Sequence, residues 1–338
     1  MKNLKVTLGA FMIAASLFTS CEKKSNDTNE ILIPATSQEF AALKMQALEN
    51  QKQNFQFDAA TMGSFTTENG VEISINGLCL TKNGNPVTGN VDVVVVELFE
   101  RGNMLTTNKS TMGRMPNGDK ALLLSGGEFF IEATQNGEAL EISCGIQAII
   151  PTNLTGGDDN LMTIWEGVAD CNDANGDGID DDCDGIVWEQ DEVAAERKVE
   201  IGDGQNGGNV YYSFFSDFGW TNVDRFYMDP RPKTTILVDV PEGYDNENSA
   251  VYLSYDGEAN ALANLDTYNA TTELFSEHYG QIPVGLECHV IFASEIDGEW
   301  LYAIKAATIT ANGIIVFTEA ELATATEAQL ITLINALP

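Results

Sequence analysis

Residues 82–98 read Lys-Asn-Gly-Asn-Pro-Val-Thr-Gly-Asn-Val-Asp-Val-Val-Val-Val-Glu-Leu. The first five are a turn, with Asn-Gly at its centre. Val91, Val93 and Val95 then recur at every second residue and the apolar run continues to Leu98, the period of a strand with one buried face. The same period returns on both sides. Upstream, Val71, Ile73 and Ile75 alternate with polar residues from about Thr61 onward. Downstream come Phe130–Ala133, an Asn136-Gly137 turn, and Leu140, Ile142, Cys144 and Ile146. Short strands joined by Gly/Asn turns with no helix between them predict an antiparallel sandwich over 60–152. Cys79 and Cys144 fall within it, where a bridge between them is one option. With Cys288 also present, the five cysteines after Cys21 cannot all pair internally.

The chain ahead of this block carries an address. Lys2 and Lys5 precede an apolar run from Val6 to Phe18, too short to span a bilayer comfortably. It ends Leu17-Phe-Thr-Ser-Cys21, which looks like a bacterial lipobox. Residues 1–20 are therefore read as a lipoprotein signal peptide and Cys21 as the lipidated N-terminus, the alternative being ordinary secretion with a free Cys21 thiol. Glu22 is not the Asp that retains lipoproteins at the inner membrane, so by resemblance the outer membrane is the expected destination. Residues 21–35 form a polar tether. Within 36–59, Thr36-Ser-Gln-Glu39 is a capping box, and Phe40, Leu43, Ala47 and Leu48 keep a helical period, predicting a helix from Ser37 to about Asn54.

Residues 153–208 read as an acidic linker with one specific feature, Cys171-Asn-Asp-Ala-Asn-Gly-Asp-Gly-Ile-Asp-Asp-Asp-Cys-Asp-Gly185. Asp173, Asn175 and Asp177 are spaced two apart, Gly178 stands sixth, Ile179 seventh, Asp181 ninth and Asp184 twelfth. That is the ligand order of a twelve-residue calcium loop: carboxylates and one backbone carbonyl curl round a hard cation and a glycine permits the sharp turn. Without metal the loop's six aspartates repel, each close pair costing about 1 kcal/mol in watery surroundings. The competing reading is a solvated acidic linker. Cys171 and Cys183 flank the series. A disulfide between them would pre-form the loop, contributing on the order of 2–3 kcal/mol, and an exported protein favours the bridge over two free thiols. The loop resembles those of thrombospondin type 3 repeats and dockerins, although no second copy follows.

Beyond it, Glu189–Arg197 reads as a short helix. Gly202-Asp-Gly-Gln-Asn-Gly207 spells a dinucleotide fingerprint but leads into strand-like Asn209-Val-Tyr-Tyr-Ser-Phe-Phe, with no helix to receive a pyrophosphate, so it is a linker or a wide turn. A second β-domain is expected over 209–338. Phe218, Trp220, Phe226 and Tyr227 crowd its start, either as core or as a glycan platform, with Asp224 and Arg225 as a candidate ion pair beside them. Strands are expected at 235–240, 250–255, 288–294, 300–306 and 314–317, with Asp256-Gly257 and Asp297-Gly298 as hairpin turns. Thr318-Glu-Ala-Glu321 and Thr326 predict two C-terminal helices.

The fold expected is thus mainly β: two antiparallel sandwich-like domains joined by the calcium loop, with helices at both ends. The stretches NGNPVTGNVDVVVVELFERGNM and SGGEFFIEATQNGEALEIS resemble a β-sandwich module of uncharacterised secreted proteins and lipoproteins of the Bacteroidota, similar in style to carboxypeptidase-regulatory-like and ZU5-like domains, and YYSFFSDFGWTNVDRFY resembles a segment that follows it there. The resemblance implies a β-sandwich and brings no catalytic residues.

Composition narrows the partners. With 51 acidic and 17 basic residues the net charge is −34, which disfavours nucleic acid. The two histidines, His278 and His289, give little support for zinc, and His289 reads as a hydrogen-bonded strand residue. No G-x-S-x-G, H-E-x-x-H, Walker loop or C-x-x-C occurs. The expectation is a non-enzymatic lipoprotein attached to the membrane through its N-terminal lipid, with one structural calcium ion, presenting β-domains for binding or adhesion. A carbohydrate- or peptide-binding lipoprotein, with Trp188, Trp220 and Trp300 exposed, and a hydrolase with an unrecognised pair of facing carboxylates are the alternatives.

Overall fold

Strand Asn90–Leu98 runs antiparallel between Gln53–Asp58 and the long strand Lys120–Gln135. Val91, Val93 and Val95 are buried on one face, as their period requires. The computed structural model describes residues 32–172, 182–190, 199–204 and 207–338. The chain divides into Met1–Ile33 and Pro34–Pro338, and the strands described all lie in the second unit, which is mainly β.

The long strand is used twice. Its later residues pair with Asn90–Leu98 on one side and Gly219–Phe226 on the other, while its first residues pair with Met112–Arg114. The ladder passes from Gly219–Phe226 to Thr163–Asn172 and then Asp182–Gln190, where Trp188 meets Gly113, so the sheet closes into a barrel-like ring. Leu123, Trp165, Ile186 and Trp188 from these strands form one buried cluster. Gly167 is required there, because a Cβ would lie 2.6 Å from that of Trp220. A second sheet, in the order Glu200–Asp203, Asn209–Phe215, Ile146–Pro151, Glu72–Asn76 and Met62–Thr66, shares a core with the first through Ile73, Val93, Phe129 and Tyr211. Cys79 and Cys144 are disulfide-bonded, and Cys288 is free and buried.

Two further sheets follow: one centred on Lys233–Asp239 and Leu274–Pro283, the other on Ser249–Tyr255, Glu287–Ile296 and Glu299–Thr308. Their shared core takes in Met112, Leu122 and Leu124 of the first half. Helix α1 (Ser37–Asn50), helix α2 (Arg101–Thr106) and helix α3 (Glu327–Asn335) meet over Phe40, Met104, Leu105, Trp300 and Leu330.

Several expectations are corrected. Helix α1 stops at Asn50, and Gln53–Asp58 is a strand, because Phe55 and Phe57 at period two pack on Phe65. The stretch read as a linker contains strands Thr163–Asn172, Asp182–Gln190 and Glu200–Asp203, and strands Asn209–Phe215 and Gly219–Phe226 pair with the first sheets. Thr318 does make its capping box, but only a single turn forms before Ala323–Ala325 joins Trp300–Tyr302 as a strand. Asp256-Gly257 leads into a longer connection, whereas Asp297-Gly298 closes a hairpin with both residues left-handed. Arg225 pairs with Asp159 and not with Asp224. The Thr326 box forms as expected, Gly204 donates to the Gly208 carbonyl at 2.8 Å, and His289 bonds Asp256 at 2.8 Å from its strand.

Candidate functional site

The calcium-loop residues Asp173, Asn175, Asp177, Ile179 and Asp181 lie outside the described residues, as do Cys21 and most of the helix expected at Glu189–Arg197. What is described is the stem that carries the loop. Thr163–Asn172 and Asp182–Gln190 are antiparallel partners, with Val168 opposite Val187, Asp170 opposite Gly185 and Asn172 opposite Asp182. The shift in register between Asp170 and Asn172 brings the backbones of Cys171, Cys183 and Asp184 to the same end of the hairpin. The stem is fixed in the core: Trp165 donates its indole N–H to the Asp224 carbonyl at 2.9 Å and Trp188 donates to the Ser110 carbonyl at 3.0 Å.

The aromatic cluster divides. Trp188 and Trp300 are buried, and Trp220 is half-buried between Phe130 and Trp188 with the Lys109 ammonium 5.7 Å over its ring. Phe218 packs against the first core. The row of exposed tryptophans that a glycan platform needs is not formed by these three residues. Phe226 and Tyr227 instead line a cleft of about 440 Å³ together with Met115, Leu122, Met228 and Tyr255. It sits where the chain crosses from the first sheet system to the second. Pro230 and Pro232 have no N–H to offer a ladder, so the crossing stays irregular. Tyr227 stands edge-on to Tyr255, ring centres 5.2 Å apart. At the polar side Asp229 is claimed by Arg231, whose Nη2 donates at 2.5 Å and whose Nε donates at 3.0 Å. Those bonds hold its carboxyl down at about 2. Gln281 and Lys233 complete the rim.

A pair of acids that sequence reading missed lies deeper. Glu128 on the long strand faces Asn222, and Asp224 faces Ser125, with Gly126 and Gly127 bulged against Val223 between them. Gly127 has a φ of 129°, and a Cβ there would meet the Phe99 ring at 2.6 Å. Asn222 donates to Asp224 at 2.7 Å and accepts from Ser125 at 3.0 Å. Neither Glu128 oxygen has a hydrogen-bond partner among the described residues, and Asp224 Oδ1 has none either. Burial pushes both carboxyls well above the usual range, and the charge of Asp224 raises Glu128 further while Lys109 opposes it. Both side chains are fully buried, so the pair is sealed in the core rather than set on a cleft. The usable signal was Gly126-Gly127 inside a strand pattern, the mark of a bulge.

No known protein family matches the chain, and no curated relative matches it. Among solved structures, the gamma-CGTase of alkalophilic Bacillus clarkii is similar at 12% identity over 83% of this chain, with a TM-score of 0.19. The chain spans 43% of that protein's length. A likeness this faint supports no statement about fold or activity.

Proposed function

We propose that this is a non-enzymatic, lipid-anchored cell-envelope protein that presents its β-structure for binding. One calcium ion, held by Asp173, Asn175, Asp177, the Ile179 carbonyl, Asp181 and Asp184, locks the tip of the Thr163–Gln190 hairpin. The observation that carries this reading is the strand register. With Asn172 opposite Asp182, the two ends of the ligand series start from neighbouring positions on a stem anchored by Trp165 and Trp188. The ends are therefore already close, and the metal has only the tip to order. The ion then stiffens a hairpin of the first sheet system rather than a joint between two halves. A bridge between Cys171 and Cys183, at the same end of the stem, fits the same role.

Calorimetric titration of the detergent-solubilised protein should show one calcium per chain, lost in Asp177→Ala. Silence at millimolar calcium would overturn the metal site. Cys21→Ala should move the protein from the membrane fraction to the soluble one, and an unchanged distribution would remove the anchor. A second reading, capture of a small ligand, is favoured by the cleft at Tyr227.

A further inference from the structure

The described residues include eleven lysines and arginines. Most are visibly engaged. Lys52, Lys82, Arg114, Arg225, Arg231 and Lys305 pair with acids, Lys120 lies 2.5 Å from Asp266, and Arg101 is bonded to carbonyls. Lys44 and Lys109 lie over aromatic rings. Lys233 is the exception. It is exposed at the first position of its strand, and among the described residues it has no ion pair and no side-chain hydrogen bond. In a chain with three acids for each base, an unclaimed cation is unexpected. This one lines the cleft of Tyr227.

The rest of the cleft specifies the other half of a ligand. Its volume is in the range of small-molecule sites. Tyr255 and Leu122 are buried, Phe226 and Tyr227 offer ring surface, and Met228 is 74% exposed, a flexible thioether suited to closing over a flat body. Asp229 contributes no net charge, since Arg231 saturates it. Glu258, the other carboxyl near Tyr227, is pushed toward its neutral form by burial. The large negative charge of the whole chain is screened beyond roughly 8 Å at physiological salt, so the local cation decides what is held.

We propose that this cleft binds a small monoanion with a flat apolar body, an arylcarboxylate or arylsulfonate, its ring against Phe226 and Tyr227 and its head on Lys233. The inference rests on the reading of the protein as a binding protein and adds the ligand class; it does not depend on calcium.

The test is calorimetry of the full-length protein with three probes: 2-naphthoate, its neutral counterpart 2-naphthalenemethanol, and cellotetraose. Naphthoate should bind at one site, with the alcohol about tenfold weaker for want of the ionic contact. Lys233→Met should erase that difference and Lys233→Arg should keep it, while Tyr227→Leu weakens both aromatic probes. Unchanged urea midpoints in the Lys233 variants would show that the fold is intact. Equal binding of acid and alcohol, or a difference that survives Lys233→Met, would overturn the assignment of the head group. Cellotetraose binding lost in Tyr227→Leu, without naphthoate binding, would sink the anion inference and leave the binding reading standing. Silence of all three probes would overturn the site itself.

Discussion

Arg101 and Glu128 are both sealed from solvent, within 1% exposure, and both carry groups that prefer water. Their surroundings differ in one respect. Arg101, at the start of α2, donates from Nε to the Ile334 carbonyl at 3.1 Å and from Nη1 to Ser254 Oγ at 2.6 Å and the Pro338 carbonyl at 3.1 Å, and Nη2 reaches the Leu337 carbonyl. The Ile334 carbonyl lies in the last turn of α3, where the helix dipole is negative, and those of Leu337 and Pro338 follow the helix. One side chain thus binds several acceptors at once and fastens the end of α3 to α2. Glu128 answers none, since both its oxygens are unpartnered among the described residues. A buried charge whose bonds are complete works as a clasp, whereas a buried acid without them is most comfortable protonated.

The largest effect should come from opening the clasp. Arg101→Met keeps most of the volume but removes the guanidinium that donates to Ile334, Leu337, Pro338 and Ser254. A loss of about 3–5 kcal/mol is expected in urea unfolding, with faster amide exchange across Glu327–Asn335. A loss under about 1 kcal/mol would mean that the contact is dispensable. Glu128→Gln should act in the opposite direction. The wild-type carboxyl holds its proton well above the usual range when folded and releases it near 4.5 when unfolded. Its contribution to stability is therefore full below pH 4.5 and declines as pH rises through the folded value. The amide carries no such charge. At pH 8 the variant should match or exceed wild type by roughly 1–3 kcal/mol, and near pH 4 the two should differ little. A variant weaker at pH 8 than at pH 4, relative to wild type, would show that Glu128 is held as a useful anion, by Lys109 or by a bound cation.

The contrast also marks what could be read in the sequence. The valines at 91, 93 and 95, the Asn-Gly turns, the Thr36 and Thr326 boxes and the C-terminal strands were legible because each depends on residues within one turn or one strand. The ring was not. It closes because the long strand lends its two ends to different neighbours, and nothing local in Lys120–Gln135 signals that. The same long-range pairing turns 163–172 and 182–190 from an acidic linker into a hairpin stem. For the sites, local spacing singled out the acidic series proposed for calcium and placed Phe226 and Tyr227 in a group. It did not separate core rings from cleft rings, because the two differ only in what the distant Leu122, Tyr255 and Gln281 bring against them. Glu128 was invisible among so many acids and Asp224 stood out only as a partner for Arg225, since only burial distinguishes the two.

Glu277 falls between the two extremes, its effect confined to the pH range between 4.5 and about 7. It is buried opposite Ile236, just before a bulge in which residues 278–281 have no register partner and Gly280 takes a φ of 71°. Its carboxylate accepts from the backbone of Gly280 at 3.1 Å and of Gln281 at 3.3 Å, bonds that favour the ionised form. Burial still wins and pushes the carboxyl up to about 7, with the charge of Asp266 acting in the same direction. The folded state therefore keeps this proton over a range where the unfolded chain, near 4.5, has lost it. Its stabilisation is complete below pH 4.5 and disappears as pH rises to 7, up to about 3 kcal/mol. Glu277→Gln, compared with wild type at half-unit steps from pH 5 to pH 8, should remove that slope and leave the others. Gln281 also lines the cleft, so the tightening of its backbone bond as Glu277 ionises should reach the binding site. Naphthoate affinity in wild type should change with a midpoint near neutral pH, and the variant should not follow it. A parallel slope in both proteins would assign the titration elsewhere and leave the bulge as a fixed part of the cleft wall.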